Sequence, residues 1–136
     1  MTSEQRFEVL AVDDDVSLVA LIRTVLSDDF DVTTTTSPRE ALRLIDTHDF
    51  HVVCADYRMP GITGLEVLQR AASRPLFTSG LLITGADEYF HTEEKGAHYV
   101  LLKPFEPDRL LALVQQLAHV AQMKRAVGTR GESSGR

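Results

Sequence analysis

Short apolar stretches alternate with stretches of helical periodicity along almost the whole chain, and this alternation constrains the fold more than any other feature. The strand-like stretches are residues 7–12, 30–35, 51–55, 80–84 and 99–102. The helix-like stretches are residues 16–26, 38–48, a segment from 64 onward, 87–95 and 107–123. Such alternation is typical of α/β proteins, in which helices cover both faces of a parallel sheet. We therefore predict a doubly wound, five-stranded parallel sheet.

Three predicted helices begin at residues that are suited to cap a helix. Asp15 precedes the first helix, and its carboxylate can accept hydrogen bonds from the first-turn amides. Ser37 and Glu40 have the spacing of a capping box, in which two side chains bond reciprocally to the backbone. The same spacing recurs in Thr63 and Glu66, so that the starts of the second and third helices are both predicted from side-chain chemistry.

The length and composition predict one soluble domain with short extensions. A chain of 136 residues suits a single core. We assign residues 1–6 to a disordered N-terminus, 7–123 to the folded domain and 124–136 to a flexible basic tail or linker stump. The last of these segments is polar and rich in glycine and serine, which is typical of linkers.

The charge of the chain is unevenly distributed. The net charge is −6, while the segment from residue 124 carries +3, which leaves −9 on the other 123 residues. An acidic domain does not bind nucleic acid by electrostatics alone. No apolar run approaches the ~18 residues of a membrane helix, and the polar N-terminus does not resemble a signal peptide. We therefore expect a cytoplasmic protein with neither nucleic acid nor membrane as its partner.

The single cysteine and the histidines point to no separate site. Cys54 lies in an apolar stretch and cannot form an internal disulfide, so we predict that it is buried in the core. The five histidines lack the spacing of metal ligands and are predicted to lie on the surface or beside strands. They are His48, His51, His91, His98 and His119.

Chemically capable side chains follow four of the five predicted strands. Asp13 and Asp14 follow the first strand, and Asp56 follows the third. Thr84 and Lys103 end the fourth and the fifth. Because the carboxyl ends of parallel strands meet at one edge of a sheet, we expect these side chains to converge there.

Such a cluster suits metal-dependent phosphoryl chemistry. Three adjacent carboxylates repel one another, and only Lys103 and a bound cation are available to neutralise them. Carboxylate oxygens suit Mg²⁺, and phosphoryl transfer needs alignment and charge stabilisation above all. A carboxylate can itself attack phosphorus and form an acyl phosphate. The residue types alone do not decide which aspartate attacks.

Four segments of the sequence resemble the receiver domain of bacterial two-component response regulators. They are Val12-Asp13-Asp14-Asp15, Asp56-Tyr57-Arg58-Met59-Pro60-Gly61 with Gly64, Thr84-Gly85 and Lys103-Pro104-Phe105. The resemblance covers about residues 7–121. It implies a flavodoxin-like (βα)5 fold with strand order 2-1-3-4-5. It also implies a cytoplasmic phosphoprotein that acts in signal transduction or a phosphorelay by changing conformation.

The resemblance also implies a metal site. Asp14 would bind Mg²⁺ or Mn²⁺ directly, and Asp13 would assist through water. Asp56 and the backbone carbonyl of Arg58 would complete the protein's share of the metal ligands.

The resemblance further implies the phosphorylation chemistry and its partners. Asp56 would be the phospho-acceptor, with Thr84 and Lys103 binding the phosphoryl group, and the bond before Pro104 would be cis. The donor would be a phosphohistidine of a sensor histidine kinase or a phosphotransfer protein. An unknown output partner or output domain would receive the signal, and homodimerisation stays open.

The sequence departs from the family at two places. Receiver domains commonly carry an aromatic residue three positions before the last lysine, where this chain has Val100. Tyr99 would take that role only through a bulge or a register shift, because adjacent side chains of a strand face opposite ways. The predicted helix over 87–95 is also short. We therefore expect the signal to leave through a different surface.

Two other functions compete with a receiver. Asp13 to Leu18 fit the nucleophile motif of haloacid-dehalogenase-like phosphatases, which would make Asp13 the nucleophile. That alternative lacks a later acidic pair and leaves Asp56 without a role. A pseudo-receiver would bind partners without being phosphorylated. Under the receiver interpretation the protein is no enzyme beyond its own phosphorylation and dephosphorylation.

Overall fold

The computed structural model describes residues 6–85 and 96–135, with side chains described as far as residue 127. Within these residues the strands are β1 (Glu8–Val12), β2 (Asp31–Thr35), β3 (Val52–Asp56), β4 (Ser79–Gly85) and β5 (Tyr99–Lys103). The helices are α1 (Val16–Leu26), α2 (Pro38–Thr47), α3 (Gly64–Ala72) and α4 (Pro107–Gly135). The helix predicted over 87–95 lies outside the described residues.

The five strands form one parallel sheet in the order β2-β1-β3-β4-β5, which confirms the predicted fold. The central strand β3 is buried along its whole length, whereas the edge strand β2 is only partly buried. A sheet of this order has its β1 and β3 carboxyl ends side by side, at the point where the chain changes direction across the sheet.

The core consists of two apolar layers, one on each face of the sheet. Val9 and Ala11 of β1 pack with α1 and α4, while Leu10 and Val12 pack with α2 and α3. This alternation is the period-two pattern of a strand that is covered on both faces. Cys54 is fully buried, as predicted. None of the helices in the described part of the chain is long and apolar enough to span a membrane.

Two of the three predicted helix caps have the expected geometry. The carboxylate of Asp15 accepts hydrogen bonds from the amides of Ser17 and Leu18. Thr63 and Glu66 form the complete capping box at the start of α3. These caps satisfy amide groups that have no partner inside the helix.

The capping box predicted at α2 is only half formed. Ser37 accepts a hydrogen bond from the Glu40 amide, but the Glu40 carboxylate pairs with Arg43 instead of bonding back to Ser37. The Ser37 amide already donates to Thr35 Oγ1 at 3.1 Å, so that it offers no donor to Glu40. A cation one turn along the helix is also the stronger partner for a carboxylate.

Both terminal segments that we predict to be flexible contain described residues with defined structure. Arg6, assigned above to the disordered N-terminus, donates to the carbonyls of Ser27 and Phe30 at 2.6 and 3.1 Å. Its guanidinium also lies 3.8 Å from Asp31. These three contacts fix Arg6 against the loop before β2, which the polarity of the N-terminal residues does not predict.

Helix α4 continues to Gly135, although the sequence predicts a flexible segment from residue 124. Lys124, Arg125 and Ala126 are strong helix formers, which accounts for the first turn of this continuation. Arg125 also donates to the carbonyls of Phe50 and Phe77, both at 2.8 Å. These bonds join the helix to the two loops that precede β3 and β4.

Two histidines occupy equivalent positions at the amino end of the sheet, which we call the base. His51 precedes β3, its amide donates to the Glu8 carbonyl at 2.8 Å, and its Nδ1 accepts from the Glu8 amide at 3.0 Å. His98 precedes β5 and makes the same pair of bonds with Gly80, at 2.9 and 2.8 Å. Burial lowers the pKa of both rings, to about 4 for His51. Each imidazole thus takes the place of a backbone carbonyl as the acceptor at the start of a pair of strands. The sequence predicts only that these histidines lie on the surface or beside strands, and it does not predict this hydrogen bond.

Candidate functional site

The carboxyl end of the sheet, which we call the rim, brings together three of the predicted site residues. Asp13 follows the last residue of β1, which lies opposite the residue before Asp56 in the parallel register. The Nζ of Lys103, at the end of β5, lies 2.7 Å from Asp56 Oδ1 and 3.6 Å from Asp13 Oδ2. One lysine therefore bridges two buried aspartates.

Asp14 completes an acidic cluster with Asp13 and Asp56. One carboxylate oxygen from each of the three lies within 4.8 Å of the others. Asp13 and Asp56 are buried, with 1% and 5% of their surface exposed, while Asp14 is exposed. The cluster thus combines two shielded oxygens with one that faces solvent, which leaves an approach for an ion.

The buried Asp13 carboxylate is under-satisfied. Its Oδ1 accepts a hydrogen bond from the Asp15 amide at 2.8 Å, but its Oδ2 has no hydrogen bond among the described residues. Burial raises the pKa of Asp13 to about 6, against the lowering effect of the bond from Asp15, and the neighbouring Asp56 raises it further. The protein alone therefore does not fully stabilise this charge.

The charge of Lys103 is stabilised by the same carboxylates. Partial burial lowers the pKa of Lys103, but the hydrogen bond to Asp56 and the charges of Asp13 and Asp56 outweigh that effect and raise it. The cluster thus contains three carboxylates and one ammonium group, so its net charge is negative when the carboxylates are ionised.

The cluster fits a divalent cation that prefers oxygen ligands. The oxygens are hard donors of the kind that bind Mg²⁺, and the buried Asp13 Oδ2 lacks a hydrogen bond that a metal-bound water would supply. Asp13, Asp14 and Asp56 are the side chains available to hold such an ion. Arg58, whose carbonyl is the fourth expected ligand, lies in the exposed loop directly after β3.

Thr84 is the next-to-last residue of β4 and lies at the same rim. It is 1% exposed, and its hydroxyl lies 3.3 Å from the Gly85 carbonyl, to which it donates. The Lys103–Pro104 peptide bond is cis, as the resemblance implies. Thr84, Gly85 and Lys103 occupy neighbouring register positions of β4 and β5.

Gly64 allows α3 to start directly behind the acidic cluster. A Cβ atom at this position would collide with the backbone oxygen of Asp56, and the Gly64 amide donates to the Tyr57 carbonyl at 2.9 Å. Only a glycine permits this close approach. Gly64 is therefore a structural requirement of the site, although it offers no side-chain chemistry.

Strand β5 is regular at Val100, the position where receiver domains commonly carry an aromatic residue. β4 and β5 pair without a bulge, with Leu82 opposite Val100. Val100 packs against the apolar layer of α2 and α3, whereas Tyr99 faces the other way and accepts a hydrogen bond from Arg109 of α4 at 2.7 Å. The bulge or register shift that would give Tyr99 the aromatic role is thus absent from residues 99–103.

The sequence and the structure of the chain resemble those of known signalling proteins. The family model of the response regulator receiver domain matches residues 9–115. Over 118 residues the chain is 33% identical to HoxA, a hydrogenase transcriptional regulatory protein of Cupriavidus necator, with 84% of this chain and 24% of HoxA covered. Over 114 residues it is 31% identical to PhoP, the alkaline phosphatase synthesis transcriptional regulatory protein of Bacillus subtilis, with 81% of this chain and 48% of PhoP covered.

A solved structure extends this similarity to three dimensions. The chemotaxis response regulator CheY4 of Vibrio cholerae superposes with a TM-score of 0.75 at 32% identity, covering 83% of this chain and 99% of CheY4. The chain therefore spans less than half of the two transcriptional regulators, and it matches nearly all of the chemotaxis protein.

Proposed function

The chain belongs to the family of response regulator receiver domains, and on this premise we propose that it accepts a phosphoryl group on Asp56 in a Mg²⁺-dependent reaction. The observation that carries the proposal is the contact of 2.7 Å between Lys103 Nζ and Asp56 Oδ1, inside the acidic cluster with Asp13 and Asp14. Receiver domains are signalling domains, so the chemistry is confined to the domain's own phosphorylation and dephosphorylation.

In the proposed reaction an Asp56 oxygen attacks phosphorus. The new bond is an acyl phosphate, and the bond that breaks joins phosphorus to a histidine nitrogen of a sensor kinase or a phosphotransfer protein. A bound Mg²⁺ supplies charge neutralisation for the phosphoryl oxygens. Lys103 adds a point charge beside Asp56, and the Thr84 hydroxyl is available to donate a hydrogen bond to the transferred group.

Asp56 is a better candidate for the nucleophile than Asp13. The Asp13 Oδ1 is held by the Asp15 amide, and the closest contact of Lys103, at 2.7 Å, is to Asp56. The position of Asp13 makes it a ligand of the metal through water more readily than a group that attacks an incoming phosphate. The phosphatase alternative, which needs Asp13 as nucleophile, is therefore less well supported.

The proposed partners follow from the family. The donor would be a sensor histidine kinase or a phosphotransfer protein, and the signal would pass to an output domain or an output partner in the cytoplasm. HoxA and PhoP are transcriptional regulatory proteins that are longer than this chain. We therefore propose that any regulation of transcription resides in a segment or a partner outside this domain.

Labelling with a small acyl-phosphate donor in the presence of Mg²⁺ tests the proposal. The acyl phosphate is trapped chemically and located by mass spectrometry, with Asp56→Asn and a metal chelator as controls. We expect a label on Asp56 that both controls abolish. A label on Asp13 would support the phosphatase alternative, and no label on the wild-type protein would support a pseudo-receiver.

A further inference from the structure

A groove lies at the base of the domain, at the opposite end of the sheet from Asp56. It has a volume of about 880 Å³ and lies between the connection from α3 to β4 and residues 123–127 of α4. Leu76, Phe77, Met123 and Val127 give it an apolar lining. Its size is within the usual range of binding sites, about 300–1,000 Å³.

Three apolar side chains of the groove are exposed within the described part of the chain. Met123 and Val127 are 64% and 61% exposed, and Leu76 is 37% exposed. The first two are four residues apart, so they lie on one face of α4, beyond Ala121, the last buried residue of the helix as far as residue 127. An amphipathic helix gains most of its stability from packing of its apolar face, so this face is suited to a partner.

The groove is basic although the chain as a whole is acidic. Arg74, Lys124 and Arg125 line it, while the net charge of the chain is −6. Arg74 is paired with Asp49 at 2.9 Å. Lys124 lies over the ring of Phe77, 5.6 Å from its centroid, and neither Lys124 nor Arg125 forms an ion pair with a carboxylate of the described residues.

This charge favours a different protein over a second copy of the chain. A two-fold dimer brings the same patch of both copies together, so that Lys124 and Arg125 would be present on both sides of the interface. Like charges across an interface oppose association, whereas an acidic partner would meet a complementary potential. Because one wall of the groove is an exposed helix face, the fitting shape is a second helix laid along it.

We propose that this groove docks an acidic amphipathic helix of a partner protein. The partner would place large apolar side chains against Met123, Val127 and Leu76, and glutamate or aspartate side chains against Lys124. The site is distant from the acidic cluster, so docking requires neither the metal nor phosphorylation of Asp56.

Titration of the full chain with two synthetic peptides tests the proposal. Each peptide spans about four helical turns, with leucine at positions i, i+3, i+4 and i+7. One carries glutamate at the flanking positions and the other carries lysine there. Binding is measured by fluorescence anisotropy, and its place is located by amide chemical shifts of the isotope-labelled protein.

We expect the acidic peptide to bind and to shift the amides of residues 74–78 and 121–127, with the basic peptide at least fivefold weaker. Leu76→Glu should weaken the acidic peptide about tenfold, because it removes apolar contact and adds repulsion. Leu21→Glu is the matched control, since Leu21 is 39% exposed on α1, and it should have no effect. Lys124→Glu should weaken binding about fivefold, the upper value for an exposed ion pair.

Three results would overturn the proposal. They are no binding of the acidic peptide up to about 1 mM, equal binding of both peptides, and a dimer of the chain whose shifted amides include Met123 and Val127. The last result would assign the groove to a second copy. Because Asp56→Asn should bind the acidic peptide as wild type does, failure here is separable from failure of the phospho-acceptor proposal.

Discussion

At the rim of the sheet two aspartates are buried beside a single lysine, whereas at the base the buried polar side chains are hydrogen-bonded to the backbone. Asp13 Oδ2 has an ion pair at 3.6 Å but no hydrogen bond among the described residues. At the other end, Thr78 donates to the Phe50 carbonyl at 2.8 Å and Ser79 to the Leu117 carbonyl at 2.7 Å. The rim thus holds buried charge at a cost, whereas the buried side chains of the base are hydrogen-bonded, with the Nε of the partly buried Arg74 the exception among the described residues.

The difference indicates a division of work within one sheet. Buried charges that lack full compensation are destabilising, and such groups are concentrated at functional sites. Hydrogen-bonded polar groups at the base join α4 and the loops to the strands, and they should contribute to stability without chemistry of their own. Removal of the Asp13 carboxylate at the rim should therefore stabilise the metal-free domain, whereas removal of a hydrogen-bonded polar group at the base should destabilise it.

The largest effect on stability is expected from Lys103→Met. This change leaves Asp13 and Asp56 buried without their cation, and it should lower the free energy of unfolding by about 2 to 3 kcal/mol. Chemical denaturation in a metal-free buffer measures the loss. Lys124→Met is the matched control, because Lys124 has no carboxylate partner among the described residues, and its effect should stay within about 0.5 kcal/mol. Equal losses of stability in the two variants would contradict the claim that Lys103 stabilises buried carboxylates and Lys124 does not.

Arg125→Met should have the next largest effect, at the base. It removes the donors to the Phe50 and Phe77 carbonyls, and it should lower the free energy of unfolding by about 1 to 2 kcal/mol. Hydrogen exchange should show the loss first in the last turns of α4. Arg109→Met, which removes an exposed hydrogen bond and a cation–π contact with Tyr99, serves as the control. If Arg125→Met left exchange in α4 unchanged, the proposed attachment of that helix would be wrong.

The contribution of His51 is the smallest of these effects at neutral pH, and it appears as a pH dependence in acid. The pKa of His51 falls from 6.5 to about 4 on folding, so the unfolded chain binds the proton more readily. The contribution of His51 is complete above pH 6.5 and is lost as the pH falls from there towards 4. Asp13, whose pKa is raised to about 6, acts with the opposite sign in the same range, because acid removes its buried charge.

The difference between the wild type and His51→Asn isolates the histidine. The asparagine oxygen replaces Nδ1 as the acceptor from the Glu8 amide but does not titrate. Unfolding free energies measured at several pH values between 6.5 and 4.5 should fall more steeply for the wild type than for the variant. Parallel curves would show that His51 keeps its protonation state on unfolding.

The sequence predicts the rim better than the base, for a physical reason. Asp13, Asp56 and Lys103 converge because parallel strands end at one edge, and a strand end can be read from an apolar stretch. The bonds at the base join residues far apart in the chain, such as Arg125 with Phe50. A local pattern carries no signal for such a contact.

Two structural features that we did not predict, the histidine hydrogen bonds and the continuation of α4, have a recognisable pattern in the sequence. His51 and His98 each stand immediately before an apolar strand, and this repeated position was the available sign of a shared role. The helix formers from Lys124 to Ala126 were a sign that α4 continues. By contrast, the pairing of Glu40 with Arg43 was not predictable from the capping pattern, because both arrangements use residues at compatible spacing. Whether residues 124–136 also act as a linker stays a prediction.

Equilibrium unfolding of the wild type and Asp13→Asn, with and without Mg²⁺, tests the central claim most directly. Without metal, Asp13→Asn should be more stable by about 1 to 3 kcal/mol at neutral pH, since it removes a buried charge whose pKa is raised. Ser79→Ala, at the base, should instead be less stable by about 1 kcal/mol. Saturating Mg²⁺ should stabilise the wild type and remove the advantage of Asp13→Asn. The account is contradicted if Asp13→Asn is the less stable protein without metal, or if Mg²⁺ stabilises both proteins equally.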